Sequence, residues 1–171
     1  RNIPFAALGE ILNPAWSPDG RSIAFSATAG GYSDLYLYDL ERESLRQLTN
    51  DRFADLQPAW SPDGTRLAFV TDRFSTNLDT LDGGVYRLAL LDPASGIVEA
   101  LRTFDRSKSI SPQWAPDGHT LYFLSDRDGV TNIYGLDPTS GAMRQGACSD
   151  QDHPVFFTLT PLTQVNHGHI R

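Results

Sequence analysis

A chain of 171 residues has the length for one core of ordinary size, and two separate domains would each be cramped. Its 14 Lys and Arg against 21 Asp and Glu leave a formal charge of -7, which argues against the clustered basic surface that nucleic acid or anionic lipid requires. Cys148 is the single cysteine, so an intrachain disulfide and a thiolate metal cluster are excluded, and no apolar run of about 18 residues is present to span a membrane.

Arg1 opens the sequence with neither a methionine nor a basic-then-apolar leader, as expected of mature or excised material. Residues 1–12 read as a lead-in. After them one phrase occurs three times: Asn13-Pro14-Ala15-Trp16-Ser17-Pro18-Asp19-Gly20, Gln57-Pro58-Ala59-Trp60-Ser61-Pro62-Asp63-Gly64, and Ser111-Pro112-Gln113-Trp114-Ala115-Pro116-Asp117-Gly118. Each phrase runs into a β-rich stretch: Ser22 to Ser26, Arg66 to Val70, and Thr120 to Leu124. A second stretch follows at Asp34 to Leu40, Val85 to Leu91, and Asn132 to Leu136, and a third at Ser44 to Thr49, Ile97 to Leu101, and Ala142 to Gln145.

Trp16 to Trp60 is 44 residues and Trp60 to Trp114 is 54. From each Trp to the Asp closing the second stretch (Asp39, Asp92, Asp137) the count is 23, 32 and 23, which places nine of the ten extra residues in a middle-unit loop, Phe74 to Gly84. Four short strands in a period near 44 are the size of a propeller blade, and the apolar alternation is by two, not three and four. In Asp34-Leu35-Tyr36-Leu37-Tyr38-Asp39 the leucines face one way and the tyrosines the other, as a strand packed on both faces requires. The predicted fold is all-β: a β-propeller segment of three four-stranded antiparallel blades, over about 13–56, 57–110 and 111–145.

Ser-Pro-Asp-Gly is turn chemistry, with Pro presetting φ and Gly supplying positive φ, so it joins the first and second strands of a blade. Asp92 to Gly96 and Asp137 to Gly141 are the matching turns between the third and fourth strands. The Trp before each phrase is expected to pack between blades, worth up to roughly 4 to 6 kcal/mol each. After Gln145 the pattern fails, and 146–171 is a divergent tail in which His153-Pro154-Val155-Phe156-Phe157 has the look of a decayed fourth-blade start.

The phrases Pro-x-Trp-Ser-Pro-Asp-Gly, the Ile-Ala-Phe or Leu-Ala-Phe after them, Leu35-Tyr36-Leu37-Tyr38-Asp39-Leu40 and Arg46-Gln47-Leu48-Thr49 resemble the TolB-type (WD40-like, PD40) propeller repeat from residue 13 to about 145. The resemblance implies a six-bladed ring when complete, of which this chain carries half, and a periplasmic or extracellular location. Similar blades also precede serine-peptidase domains. An open array of three blades exposes apolar surface, so either two copies close a ring or the chain belongs to a longer propeller.

No Gly-x-Ser-x-Gly elbow, phosphate-cradling Gly loop, Cys-x-x-Cys pair or His-Glu-x-x-His helix occurs, so no catalytic residue, resident metal or cofactor is predicted. Ser33 lacks the second Gly of an elbow. His153, His167 and His169 read as solvated, and Asn77, Asp79 and Asp82 as an acidic loop without calcium-loop spacing. Loops after the second and fourth strands share one rim, and loops on a rigid scaffold are where binding concentrates. Asp72 and Arg73, the equivalent Asp126 and Arg127, with Phe74 and Tyr32, are the candidate binding residues. Local salt bridges that lock the loops are the competing account of the Asp-Arg pairs. The leading expectation is a non-catalytic segment that binds a protein or peptide; a substrate-gating propeller of a hydrolase comes second, and a metal-dependent ring hydrolase third.

Overall fold

A computed structural model describes residues 5–146. The described residues form three four-stranded antiparallel sheets and no helix. The first holds β1 (Ile11–Trp16), β2 (Ser22–Ala29), β3 (Tyr32–Asp39) and β4 (Ser44–Gln47). The second holds β5 (Asp55–Trp60), β6 (Leu67–Thr71), β7 (Arg87–Leu91) and β8 (Val98–Ala100), and the third β9 (Ser109–Trp114), β10 (Leu121–Ser125), β11 (Asn132–Leu136) and β12 (Met143–Gln145). Strands follow chain order within every sheet, so each is a meander of hairpins, and β1, β5 and β9 are neighbours along the inner edge. The predicted blade architecture is present.

The turn phrase works as its chemistry dictates. Ser17 Oγ donates to Asp19 Oδ1 at 2.6 Å, the same carboxylate oxygen accepts from the Arg21 N–H at 3.0 Å, and Gly20 takes a φ of 70°. Ser61, Asp63 and Gly64 repeat it, with 2.6 Å between the hydroxyl and the carboxylate and φ 73° at the glycine. The turns also stack from blade to blade: a Cβ on Gly64 would sit 3.7 Å from Cδ of Pro18, and one on Gly118 would sit 3.8 Å from Cδ of Pro62.

Period-two alternation builds the core. Leu35 and Leu37 join Ala24 on the face that meets Leu67, Phe69, Ala89 and Leu91 of the second sheet. The opposite side of that sheet, Ala68, Val70, Leu88 and Leu90, meets Leu121, Phe123, Tyr134 and Leu136 of the third. Tyr36 and Tyr38 point away with Phe25 and Ala27, as the alternation predicts.

That outward face is not bare, although an open array of blades is expected to expose apolar surface there. Phe5 lies 5.6 Å from Phe25 and 5.2 Å from Tyr38, and Leu8 packs beside it. Phe104 does the same on the third sheet, 6.2 Å from Phe123 and 4.8 Å from Tyr134. Phe104 belongs to the connection between the second and third sheets, so the lead-in plays on the first sheet the part that an inter-blade connection plays elsewhere. On the far side of the third sheet Ile133 stays 40% exposed.

The tryptophans divide for a related reason. Trp60 packs into the core between the first and second sheets and Trp114 into that between the second and third. Trp16 has no sheet before it and is 56% exposed, so the expected inter-blade packing holds for two of the three. Some strand ends also differ from the sequence reading. The third strand of the middle unit begins at Arg87 instead of Val85, whose carbonyl accepts from Ser75 Oγ at 2.6 Å.

One repeated backbone feature has no counterpart in the sequence reading. Asn13, Gln57 and Ser111, each followed by Pro, have φ of 51°, 53° and 55° at a register shift in β1, β5 and β9. Non-glycine residues rarely adopt this conformation, and here it recurs at the same place in every inner strand. Cys148, His167, His169 and the fourth-blade start suggested at His153 to Phe157 lie outside the described residues.

Candidate binding rim

Twelve residues beyond each blade's Trp stand Thr28, near the end of β2, and Asp72 and Asp126, the first residues after β6 and β10. Each of these side chains accepts a hydrogen bond from the backbone N–H six residues before that Trp. Thr28 Oγ1 accepts from Glu10 at 2.9 Å, Asp72 Oδ1 from Ala54 at 2.9 Å, and Asp126 Oδ1 from Lys108 at 3.1 Å. The three bonds are one device: they pin the chain entering the inner strand to the end of the second strand. Asp72 also accepts from Thr76 Oγ1 at 2.8 Å, which folds back the long middle loop. Two of the candidate carboxylates are therefore struts within the chain.

The adjoining arginines diverge. Arg73 donates from Nη2 to Asp55 Oδ2 at 2.5 Å, lies 3.0 Å from Asp51 Oδ2, and donates from Nε to Thr71 Oγ1 at 3.2 Å. Its side chain is 16% exposed. Arg127, at the equivalent position, finds Ser109 where the second blade has Asp55 and Ser125 where it has Thr71. Without an acid beneath it, Arg127 stacks 4.7 Å over the Phe104 ring, reaches Asp128 at 3.8 Å, and keeps 56% of its side chain exposed. Asp105, the counterpart of Asp51, instead pairs with Arg87 at 3.1 Å.

Asp34 completes the cluster around Arg73. It is buried, and accepts from Gln47 Nε2 at 3.1 Å, Thr49 Oγ1 at 3.3 Å and the Asp51 N–H at 3.4 Å. Burial, with Asp55 and Asp51 nearby, pushes its carboxyl above the ordinary range. Burial raises Asp55 as well, opposed by the Thr71 hydroxyl and by Arg73. Carboxylate oxygens of Asp34, Asp51 and Asp55 lie within 4.8 Å of one another. Arg73 supplies a cation to Asp51 and Asp55 at the seam of two blades, while Oδ1 of Asp55 is buried without a hydrogen-bond partner. Nothing local in the sequence marks Asp34, Asp51 and Asp55 as a set, since they fall on three separate segments.

Phe74 is 40% exposed and Tyr32 46%. Asn77 Oδ1 accepts from the N–H groups of Asp79 and Thr80 at 2.9 and 3.3 Å, which closes the middle loop upon itself. Ser33 sits in β3 opposite Thr28, in an ordinary ladder and not on an elbow. Of the six candidate residues, Arg127, Phe74 and Tyr32 present free surface, while Asp72, Arg73 and Asp126 are engaged within the chain.

A family model described as the TolB beta propeller domain matches residues 5–90. Dipeptidyl-peptidase 5 of Porphyromonas gingivalis is 30% identical over 167 residues, covering 90% of this chain and 23% of that protein. Among solved structures, TolB from Acinetobacter baumannii is 26% identical with a TM-score of 0.64, over 82% of this chain and 33% of that one. A putative TolB from Agrobacterium tumefaciens gives 26% identity and 0.64, over 80% of this chain and 46% of that one. The chain spans about a quarter of that dipeptidyl-peptidase and less than half of either structure.

Proposed function

Since the chain belongs to the TolB beta propeller domain family, we propose that it is a non-catalytic, protein- or peptide-binding part of a propeller, whose rim meets its partner through Arg127, with Phe74 and Tyr32 beside it. The observation that carries this is the contrast between the two equivalent arginines. Arg73 is neutralised by Asp51 and Asp55, whereas Arg127 has lost the buried acid and stands over Phe104, 56% exposed. An exposed guanidinium held over an aromatic ring is pre-oriented for a carboxylate or a carbonyl. A pull-down with wild type and Arg127→Ala tests it: the variant is expected to lose the partner that wild type retains, and equal recovery would overturn the assignment.

A second reading has its own support. The identity to a dipeptidyl-peptidase favours a propeller that admits peptide to a catalytic domain supplied by sequence outside these 171 residues. Labelling the full-length protein with a serine-reactive probe separates the two, because a single labelled serine outside the chain supports the peptidase reading and absence of labelling supports the scaffold.

Closure of the ring belongs to the same proposal. The uncovered face bearing Ile133 takes a further blade, from the rest of a longer propeller or from a second copy of the half-ring. Light scattering distinguishes these, since a discrete dimer supports two half-rings and a stable monomer argues against closure by self-association. A periplasmic or extracellular setting is supported by the family; no helix among the described residues is long and apolar enough to cross a membrane.

A further inference from the structure

Seven buried side-chain atoms among the described residues have no hydrogen-bond partner, and four of them, Arg87 Nε, Thr103 Oγ1, Ser109 Oγ and Ser125 Oγ, belong to the seam between the second and third sheets. Buried polar groups are ordinarily paired, so their concentration at one seam has a cause. Ser109 and Ser125 have no exposure to solvent and stand opposite each other in register on β9 and β10. The Ser109 N–H donates to the Tyr86 carbonyl at 2.8 Å, which brings Arg87 of the second sheet beside this pair.

The seam between the first and second sheets supplies the comparison. Counted from its Trp, or from the Asp that follows or closes its third strand, each residue has a counterpart there: Asp34 for Arg87, Thr49 for Thr103, Asp55 for Ser109, Thr71 for Ser125 and Arg73 for Arg127. At that seam the Asp55 carboxylate receives Arg73, and Asp34 receives the Thr49 hydroxyl at 3.3 Å. Neither carboxylate has an acidic counterpart at the next seam, where an arginine stands for Asp34 and a hydroxyl for Asp55. Arg87 gives its two terminal nitrogens to Asp105, at 3.1 Å to Oδ1 and 2.8 Å to the carbonyl, and retains Nε. Asp128 holds Arg127 only at 3.8 Å, with both side chains more than half exposed. Guanidinium groups only donate, and each of the three hydroxyls has a hydrogen to give. Donors therefore gather where the first seam has its acceptors.

We infer that the seam between the second and third sheets binds a carboxylate, held by the Ser109 and Ser125 hydroxyls and Arg87 Nε and capped by Arg127. The group takes the place that the Asp55 side chain fills one blade earlier. Its two oxygens accept several hydrogen bonds at once, and bonds from charged donors to it are strong. Ser109 and Ser125 are smaller than the Asp55 and Thr71 to which they correspond, which gives the carboxylate its space. Its bearer is a free monocarboxylate or an acidic side chain of a bound peptide, and the chemistry is the same for both. The inference deepens the rim proposal and rests on it for Arg127, which the two share.

The test follows the Ser109 and Ser125 amide resonances while the full chain is titrated, at constant ionic strength, with sodium acetate, sodium chloride, capped Ala-Ala-Glu-Ala-Ala or its Gln counterpart. Saturable shifts with a carboxylate are expected, and Ser125→Ala, which removes one hydrogen bond to a charged group, should weaken binding about tenfold. A response to acetate alone identifies a free carboxylate as the occupant, and a response to the Glu peptide identifies an acidic side chain; each supports the inference. An equal response to chloride or to the Gln peptide, or saturation with neither carboxylate, would overturn it. Ser109→Asp supplies the carboxylate from within the chain, as Asp55 does. That variant should lose the acetate response and unfold at a higher urea midpoint than Ser109→Asn, its uncharged control of equal size. A lower midpoint than that control would sink the inference whatever the titration shows. No carboxylate response, with the partner still lost by Arg127→Ala, leaves the rim proposal standing; a carboxylate response, with the partner retained by Arg127→Ala, removes the rim proposal and leaves this one.

Discussion

Arg73 Nη2 lies 2.5 Å from Oδ2 of Asp55, a residue with no exposure to solvent. Removing a partner from such a pair strands a buried charge, which costs more than the pair contributes while intact. Arg73→Ala should therefore destabilise the chain by about 3 kcal/mol, and adding Asp55→Asn should restore part of the loss. Urea unfolding of the two singles and the double provides the cycle. Arg127→Ala, exposed and without an acid beneath it, should change stability by less than about 1 kcal/mol.

Asp34 sets a pH dependence of opposite sign to that of the turn carboxylates. Burial, reinforced by Asp55 and Asp51, raises its folded value above the ordinary 3.8. Its contribution to stability is fully present below the unfolded value and is lost as pH rises through the folded one. Asp34→Asn should accordingly gain stability over wild type at pH 7 and little at pH 3.5, measured as the shift in urea midpoint. By contrast, the Ser17 hydroxyl and the Arg21 N–H hold Asp19 below the ordinary range, so its contribution is present above the unfolded value and fades in acid.

The strut from Asp126 to the Lys108 N–H can be read directly by hydrogen exchange. Asp126→Ala should cost about 1 kcal/mol and accelerate exchange at the Lys108 amide, with the core amides of β10 less affected. Uniform acceleration throughout the third sheet would falsify the local role.

Gly64 and Gly83 should respond in opposite directions to alanine. Gly64 holds φ at 73°, so Gly64→Ala is strained and should cost about 1 kcal/mol or more. Gly83 has open space where a Cβ would stand and no positive φ, so Gly83→Ala should gain about 0.5 kcal/mol through the unfolded chain. Thermal unfolding of the two variants checks both signs.

Much of the architecture was legible because its causes are local. The Ser-Pro-Asp-Gly turns need only the φ of Pro and Gly, and the alternating leucines and tyrosines of β3 need only the two-residue period of a strand. The site was less legible. Asp72-Arg73 and Asp126-Arg127 are the same phrase, and nothing within it tells the buried arginine from the exposed one. That difference rests on Asp55 against Ser109, eighteen residues upstream of each arginine and brought beneath it only by strand pairing. The left-handed steps at Asn13, Gln57 and Ser111 were hidden as well, since they appear only where β1, β5 and β9 shift register against the neighbouring strand. By itself the sequence determined the repeat, its turns and the face each residue takes. Only the tertiary structure decided which charges are spent on holding blades together and which remain for a partner, because ion pairing and desolvation depend on neighbours that are distant along the chain.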